Sequence, residues 1–283
     1  MSDKPVSTWT RFQAPPPPDN SRALDTSIFK PLIAQSADYR NAFYGRVAES
    51  PDQCVLVVAW NSGAACDAFA ASPSGWRQLL ANITAAVADT GEVVGDVEPS
   101  HQQQKQREIP VITRKVDFEK EPFWANFGSN TEMRTVYFHP AGNGNVRERV
   151  MRLKGLVLTV GLGIGSELAH LSPYRGVPAR GWVIGESREE KKEDKEEKES
   201  SDDGGQASEF VTWEGRKASA CLWIHYWKNT KAEKRFKSTE RRIKRPPLPP
   251  PLATEVFEHD LRRLGALGWE DYHVDFKKVP KTM

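Results

Sequence analysis

Apolar and polar positions along this chain of 283 residues follow one order of elements twice: strand, helix, strand, strand, helix, strand. Residues 55–60 and 222–227 are apolar at almost every position and rich in β-branched and aromatic side chains. A strand buried on both faces has this pattern, whereas a half-exposed strand would alternate. Residues 61–62 and 229–230 are of the types that cap helices, so each run predicts a strand followed by a helix.

The same pattern predicts the remaining elements. In the first half we expect strands at 8–13, 39–48, 53–60 and 92–97, and helices at 21–35 and 63–88. In the second half we expect strands at 133–138, 179–186, 218–227 and 269–276, a helix at 145–169, and a helix that starts at 230, is interrupted by prolines and resumes over 253–264. The order βαββαβ is that of the ferredoxin-like unit. In that unit the helices cover one face of a four-stranded sheet, whose spatial order is 4-1-3-2.

A weak internal repeat supports this division, because residues 54–72 and 221–239 align at a constant offset of 167. The matched pairs are Cys54 and Cys221, Trp60 and Trp227, Ala65 and Ala232, and Phe69 and Phe236. Strands that are apolar on both sides also need cover on their second face, which two sheets packed against each other provide. The predicted fold class is therefore α+β, with two tandem ferredoxin-like βαββαβ units packed sheet to sheet as an intramolecular α/β barrel.

Composition along the chain predicts where these units begin and end. We expect the first unit over residues 1–97 with a proline-rich loop at 14–20, a linker over 98–130, and the second unit over 131–283. The second unit contains a charged insert at 188–209 and a proline-rich break at 246–251. No apolar side chain in the insert is larger than that of alanine, so burial cannot offset the entropy of ordering it. This composition favours disorder, and the alternating Glu and Lys residues leave open a charged helix up to Lys198.

Short motifs in both halves are similar to those of a known family. In the first half they are YGR at 44–46, ESPD at 49–52, VVAW at 57–60 and AFAASP at 68–73. In the second half they are GWV at 181–183, IHYW at 224–227, Ala232 with Phe236, and YHVDF at 272–276. With these motifs the chain resembles the dimeric α/β-barrel superfamily, specifically the antibiotic-biosynthesis-monooxygenase-like domains found as tandem pairs in fungal proteins. Most of these residues belong to the core, so the resemblance bears on fold more than on chemistry.

The resemblance implies a pocket between a sheet and its helices. The family includes cofactor-independent oxygenases of phenolic or polyketide substrates, haem-degrading oxygenases, cyclases and isomerases. The Asn, Trp and His set of the haem-degrading members has no match here. We therefore expect a monooxygenase-like enzyme, or a related cyclase or isomerase, that acts without a cofactor on a small aromatic or polyketide-type metabolite. The alternative is a non-catalytic α/β barrel that binds or scaffolds a partner through the charged insert.

Composition narrows the cellular context and the partners. Lys and Arg number 40 against 38 Asp and Glu, so a net charge of +2 provides no global field for nucleic acid. Three cysteines favour a reducing compartment, and the N-terminal residues lack the apolar segment of a signal peptide. The longest apolar stretch, 155–164, is shorter than a membrane span of about 20 residues. We expect a cytoplasmic monomer whose two halves form an intramolecular pseudo-dimer. We expect it to bind a small aromatic ligand, but neither membrane nor nucleic acid. Residues 228–245 form a basic patch, for which a solvated face is favoured over an RNA or acidic partner.

Three histidines of the second half are the candidate chemistry. His139 ends the first predicted strand, His225 lies near the end of the third, and His273 lies near the start of the fourth. The order 4-1-3-2 then predicts that all three lie on adjacent strands at one end of the sheet. Such a cluster can supply a base, because imidazole titrates near neutral pH. The alternative is that strand alternation directs them to different faces. No spacing typical of metal ligands accompanies them, so we expect no metal.

Aromatic residues of the second half complete the predicted site. The catalytic candidates are His225 and His273, and the substrate-binding candidates are His139, Tyr226, Trp227, Trp182 and Tyr272. Flat aromatic side chains can line a pocket for a polycyclic ligand, although packing between sheet and helices is the favoured explanation for them. In this hypothesis one histidine deprotonates a phenol whose anion reacts with oxygen, while Tyr226 and Trp227 position the ring.

Overall fold

A computed structural model of the chain divides into two compact units, which are described separately. Unit 1 comprises Met1–Lys115, Glu186–Ala207 and Lys277–Met283, and unit 2 comprises Val116–Gly185 and Ser208–Phe276. The residues that the structure describes are 4–14, 26–88, 111–118, 120, 122, 124–140, 144–153, 172–189, 210–240 and 252–281.

The described residues form a mixed α and β fold. The strands are β1 (Val6–Gln13), β2 (Tyr39–Arg46), β3 (Gln53–Trp60), β4 (Val111–Phe118), β5 (Thr131–Phe138), β6 (Ala179–Glu189), β7 (Val211–Trp213), β8 (Arg216–Tyr226), β9 (Ala266–Val274) and β10 (Lys277–Lys278). The helices are α1 (Lys30–Ala34), α2 (Gly63–Ala71), α3 (Trp76–Ala88), α4 (Gly144–Arg152), α5 (Thr230–Lys237) and α6 (Ala253–Arg263). Short 3₁₀ turns lie at Thr26–Phe29 and Trp124–Asn126.

In unit 1 the strands follow the order β10-β2-β3-β1-β4. β3 has the bounds that the sequence predicts, and it pairs antiparallel with β1 and with β2. All but the first of its residues are buried, which confirms that its continuous apolar pattern marks a strand covered on both faces. The strand predicted at 92–97 lies outside the described residues. β4, which falls within the predicted linker, occupies the position next to β1.

The helical segment predicted at 63–88 is two helices, α2 and α3, separated by residues 72–75. Pro73 cannot continue a helix, because it lacks an N–H and its ring clashes with the preceding turn. Gly75 then packs so close to the end of α2 that a Cβ there would lie 2.1 Å from the carbonyl oxygen of Phe69. The prediction of one helix is therefore wrong, and the break allows Phe69 and Leu79 to join one core.

In unit 2 the strands follow the order β6-β8-β5-β9, with β7 paired to β8. Counted in chain order, β5, β6, β8 and β9 therefore have the predicted spatial order 4-1-3-2. The β7–β8 hairpin turns at Glu214 and Gly215, whose φ angles of 47° and 76° are positive as a type I′ turn requires. The last strand, β9, begins three residues before the predicted 269 and ends at Val274.

Helices α5 and α6 cover one face of the unit 2 sheet. The Phe236 ring of α5 packs against Trp227, and the Phe257 ring of α6 packs against Trp223. Helix α5 begins at the predicted cap, where the Asn229 Oδ1 accepts a hydrogen bond from the backbone N–H of Ala232 at 2.8 Å. These contacts place α5 over the end of β8 that carries the predicted site.

Several predictions fall outside the described residues. They are the proline-rich loop after residue 14, the helix at 145–169 beyond residue 153, the insert after residue 189 and the break at 246–251. No helix within the described ranges is long and apolar enough to cross a membrane.

Candidate functional site

A row of three polar side chains crosses the sheet of unit 2. Glu132 of β5 lies directly opposite His225 of β8 on one side and directly opposite His273 of β9 on the other. Directly opposite residues of antiparallel strands project to the same face of a sheet. Trp223 and Trp227 alternate with the same periodicity as His225, so the row lies on the face that α5 and α6 cover.

Helix α5 places a carboxylate and an ammonium group over this row. Glu233 and Lys237 are four residues apart, so both lie on one side of the helix. The Lys237 Nζ donates to Glu132 Oε1 at 2.8 Å and to Glu233 Oε1 at 2.6 Å. Lys237 therefore joins the helix to the sheet through two charge-assisted hydrogen bonds. We call Glu132, His225, Glu233, Lys237 and His273 the α5 cluster.

His273 is held by the carboxylate of Glu233. Its Nε2 lies 2.9 Å from Glu233 Oε1, and the Asn130 Nδ2 donates to Glu233 Oε2 at 3.2 Å. The side chains of His273 and Lys237 are 22% and 24% exposed, whereas those of Glu132 and His225 are fully buried. His273 and Lys237 are thus the members of the cluster that a molecule can reach from solvent.

Glu132 is ionised despite its burial. Burial raises the pKa of its carboxyl group, but the nearby positive charges of protonated His225, Lys237 and Arg134 and the hydrogen bond from Lys237 lower it, to about 2 overall. The Trp227 Nε1 also donates to Glu132 Oε2 at 2.7 Å. Burial lowers the pKa of Lys237, but its two carboxylate partners raise it above its ordinary value. Glu132 and Lys237 are therefore a charged pair at neutral pH.

His225 is the uncharged member at neutral pH. Its Nδ1 lies 3.6 Å from Glu132 Oε2, which is beyond hydrogen-bonding distance. Neither of its ring nitrogens has a hydrogen-bond partner among the described residues. Burial lowers the pKa of this imidazole, and attraction to Glu132 offsets only part of the effect, so the pKa is about 4. The ring lies beside the stacked pair of Tyr174 and Trp227, with centroids at 6.4 and 5.9 Å.

A second polar row adjoins the first. Arg134, two residues along β5, donates from Nε and Nη2 to the two carboxylate oxygens of Asp271, each at 2.6 Å. Its Nη2 also lies 3.8 Å from Glu132 Oε1. With both histidines neutral, three carboxylates against two cations leave the α5 cluster and the Arg134–Asp271 pair with a formal charge of −1. A proton on His273 brings that charge to zero.

Three members of the α5 cluster have ligand types that bind metals. Ligand atoms of Glu132, Glu233 and His273 lie within 4.8 Å of one another, and carboxylate oxygen and imidazole nitrogen are common zinc ligands. The Lys237 Nζ lies between the two carboxylates, at hydrogen-bonding distance from both. The ammonium group thus occupies the position of a bound cation, and the arrangement fits an ammonium group. That the site holds no metal stays a prediction.

His139 does not belong to the α5 cluster. It follows Phe138, at the opposite end of β5 from Glu132, which is about 23 Å away along an extended strand. Its side chain is exposed. The prediction that all three histidines share one end of the sheet is therefore wrong for His139. It holds for His225 and His273, because both lie opposite Glu132.

The aromatic candidates are distributed over both faces of the sheet. Trp227 contacts the cluster through its hydrogen bond to Glu132, and its buried ring packs against Tyr174 at 4.5 Å. Tyr226 follows His225 along β8 and projects to the opposite face, where it is buried. Its hydroxyl has no hydrogen-bond partner among the described residues, and burial raises its pKa.

The two remaining aromatic candidates also lie away from the cluster. Trp182 lies on β6 opposite Cys221, and its ring packs against Phe138 at 5.7 Å. Tyr272 lies next to His273 on β9 and therefore projects to the other face. Of the aromatic residues predicted to bind substrate, only Trp227 touches the α5 cluster in the described part of the chain.

Unit 1 contains the same local frame. Trp60, which corresponds to Trp227, donates from Nε1 to the Thr8 hydroxyl at 3.0 Å, as Trp227 donates to Glu132. The ring of Trp60 packs against Phe69 at 5.0 Å, and that of Trp227 packs against Phe236 at 5.7 Å.

Four ionisable positions of the cluster hold uncharged residues in this described frame. Val58 lies opposite Thr8 in unit 1, where His225 lies opposite Glu132 in unit 2. At the offset of 167, Cys66 corresponds to Glu233 and Ala70 to Lys237. Glu132, His225, Glu233 and Lys237 thus correspond to Thr8, Val58, Cys66 and Ala70. None of these four residues carries a formal charge as long as the Cys66 thiol is protonated. Burial raises the pKa of Cys66 to about 11, which keeps that thiol protonated.

Glu132, Glu233 and Lys237 are not among the residues that the sequence predicted for the site. Glu132 has a local signal, since a carboxylate in a buried strand is uncommon without a partner. Glu233 and Lys237 have a weaker one, because their spacing of four residues is also typical of exposed helix surfaces. Neither signal identifies the partner across the sheet, which depends on strand register.

Models of protein families and a search of curated proteins give no match to this chain. Among solved structures, an anthrone oxidase-like protein aligns with this chain at 11% identity and a TM-score of 0.53. The alignment covers 100% of this chain and 98% of the other protein's chain. Two proteins described as "putative monooxygenase", from Lactobacillus acidophilus NCFM and Fusobacterium nucleatum subsp. nucleatum, match 98% and 97% of this chain and 97% and 93% of their own. Their identities are 8% and 9%, and their TM-scores are 0.48 and 0.47. The first comparison shows that this chain shares the fold of the anthrone oxidase-like protein.

Proposed function

We propose that this chain is a monooxygenase-like enzyme that oxygenates a small aromatic or polyketide-type metabolite without a cofactor, with its proton-transfer chemistry in unit 2. The observation that supports this most strongly is the α5 cluster, which gathers five ionisable side chains between a helix and a sheet. At four corresponding positions in the described part of unit 1 stand Thr8, Val58, Cys66 and Ala70, none of which is charged at neutral pH. The fold therefore does not require them, which favours a chemical role.

The shared fold supports the choice of substrate class. The structural neighbour is named for anthrone, a molecule of three fused rings, and we propose a substrate of this kind for the present chain. We also propose that units 1 and 2 are two copies of one ferredoxin-like βαββαβ unit. The equivalent helix caps, Ser62 and Asn229, and the equivalent tryptophans, Trp60 and Trp227, support this duplication.

Within this proposal His273 is the base. The tautomer in which its Nε2–H donates to Glu233 leaves the lone pair on Nδ1, and this lone pair accepts the proton of the substrate. The carboxylate of Glu233 orients the ring and stabilises the imidazolium that forms. His225 is less suited to this role, because its ring is fully buried.

The reaction balances with dioxygen as the oxidant. An anthrone in its enol form gives its O–H proton to His273, and the resulting anion passes electrons to O₂. A C–O bond forms at the ring carbon, and the proton from His273 converts the peroxide anion to a hydroperoxide. Loss of water then leaves a carbonyl group. One oxygen atom enters the product and the other leaves as water, so O₂ accepts all four electrons.

A binding or scaffold role is the second candidate, and the packing of the aromatic residues favours it. Tyr226 and Trp227 are fully buried within unit 2, which is typical of core residues rather than of residues that contact a substrate. In that case the α5 cluster is an ion-pair network that attaches the helix to the sheet, and the chain has no turnover.

Oxygen uptake with anthrone as the substrate separates these functions. We expect the wild-type chain to consume one O₂ per anthrone, and His273→Gln to lower kcat by about 100-fold or more, because the base is lost. His139→Gln is the matched control, since this histidine is exposed at the other end of β5 and should leave the rate unchanged. Full turnover by His273→Gln would remove His273 from the role of base. If the wild-type chain takes up no oxygen with anthrone or related phenols, the result favours the binding or scaffold function.

A further inference from the structure

We propose that Lys237 is a positioning residue of this site, which fixes the Glu233 carboxylate against His273 and sets how strongly His273 holds a proton. The assignment of His273 as the base rests on the proposed function. The effect of Lys237 on His273 does not, because it can be measured without substrate.

The argument begins with one oxygen atom that two side chains share. Glu233 Oε1 accepts from the Lys237 Nζ at 2.6 Å and lies 2.9 Å from the His273 Nε2. Two groups bound to one oxygen are within a few ångströms of each other, and all three side chains are largely shielded from water. Charge interactions at such a distance are screened less than at a protein surface. The carboxylate favours a proton on His273, and the ammonium group opposes it.

The position of Lys237 is itself fixed from the sheet. Glu132 binds the same Nζ at 2.8 Å, and the buried Glu132 carboxylate is held in turn by the Trp227 Nε1 at 2.7 Å. A lysine side chain has several rotatable bonds and would otherwise extend into water. Glu132 therefore fixes Lys237, Lys237 fixes Glu233, and Glu233 fixes His273.

The other charged groups near His273 do not replace Lys237. Among the described residues these are Glu132 and Arg134 from β5, His225 from β8, Glu233 from α5, and Asp271 and Asp275 from its own segment. Arg134 is bound in a bidentate pair to Asp271, and His225 is neutral at neutral pH. Loss of the Lys237 charge is therefore not compensated by another cation of the cluster.

Histidine ring signals in NMR spectra, followed through a pH titration, test the proposal. The His273 signal is assigned by its absence in His273→Gln. Lys237→Met and Lys237→Gln both remove the charge, and Gln keeps an N–H donor, so at least one variant should retain the fold. We expect each to increase the proton affinity of His273 about tenfold, because the opposing charge is lost while the Asn130 Nδ2 still holds the Glu233 carboxylate, and this moves the titration up by about one pH unit. In Lys237→Arg the His273 signal should titrate as it does in the wild type.

Lys234→Met is the matched control, because it removes the same charge from an exposed position of the same helix. An equal shift in Lys234→Met, or no shift in either neutral Lys237 variant, would overturn the proposal. Where turnover is found, the neutral variants should move the acidic limb of the pH–rate profile upward by the same amount, and Lys237→Arg should restore it. A merely structural defect would lower the rate equally at all pH values. If no substrate is turned over, the proposed function fails, but the NMR titration still decides the role of Lys237.

Discussion

His225 is completely buried, its imidazole has no hydrogen-bond partner among the described residues, and its counterpart in unit 1 is the apolar Val58. Burial lowers the pKa of His225 from an ordinary value of 6.5 to about 4 in the folded chain. Between these two pH values the unfolded chain therefore binds more protons than the folded chain. Stability must then fall as the pH falls from about 6.5 towards 4.

We expect His225→Val to weaken this pH dependence. From pH 8 to pH 5 the linkage at His225 removes about 2 kcal/mol from the free energy of unfolding, and the variant lacks that contribution. Urea unfolding at both pH values should show a loss about 2 kcal/mol smaller in the variant than in the wild type. His139→Gln, which removes an exposed histidine, should keep the wild-type loss. Equal losses in His225→Val and the wild type would contradict the assignment of His225 as a buried neutral group.

Only some of the residues of the candidate site were predictable from the sequence. His225 and His273 were predictable, because histidines are rare in such apolar strands and the strand order places both next to β5. Glu132 was not, because its importance arises from the register that sets it opposite both histidines. The error at His139 has a different origin, since β5 and β8 are antiparallel and the end of β8 that carries His225 therefore lies beside the start of β5.

Among the elements, α5 contributes most to the site, because Glu233 and Lys237 both lie on it. The helix has eight residues, so its own hydrogen bonds give it little stability in isolation. Its first turn is capped by Asn229, and its apolar side is attached through Phe236. The cap therefore affects both the stability of the helix and the position of the two charged residues.

We expect Asn229→Ala to lower the free energy of unfolding by about 1 kcal/mol, because the backbone N–H of Ala232 loses its acceptor. Asn229→Ser should retain most of the stability, since serine caps the corresponding helix α2 at Ser62. Thermal or urea unfolding of the two variants is the measurement. A serine variant as unstable as the alanine variant would show that the loss comes from another contact of Asn229.

Elements with strong local signals were predictable from the sequence. The buried strand β3 and the caps of α2 and α5 follow from patterns within a few residues, and the structure confirms them. The break between α2 and α3 had a local signal in Pro73, but apolar periodicity on both sides obscured it. β4 was missed, because its pairing beside β1 depends on residues distant in the chain.

For the whole molecule, the most informative comparison is between the two units. In both units a tryptophan donates a hydrogen bond to a side chain of the neighbouring strand and packs against a phenylalanine of the following helix. The sequence repeat contained this frame, because its matched residues are those of the core. It also contained part of the difference in charge, since His225, Glu233 and Lys237 align with Val58, Cys66 and Ala70, whereas the partner of each tryptophan, Thr8 or Glu132, lies outside the aligned segments.

Replacing Glu132 with Thr, His225 with Val, Glu233 with Cys and Lys237 with Ala gives unit 2 the residues of unit 1 at all four positions. We expect this variant to fold, because replacing a whole buried ion network by neutral residues is often close to neutral for stability. Lys237→Ala alone should be less stable than the wild type by about 3 kcal/mol, because it leaves the buried Glu132 carboxylate without its nearest cation. The fourfold variant should therefore be more stable than the single variant, and it should consume no oxygen with anthrone. Circular dichroism, urea unfolding and oxygen uptake measure these outcomes. A fourfold variant less stable than Lys237→Ala would mean that unit 2 needs the α5 cluster in order to fold. The comparison with unit 1 would then no longer support a chemical role for the charges of the cluster.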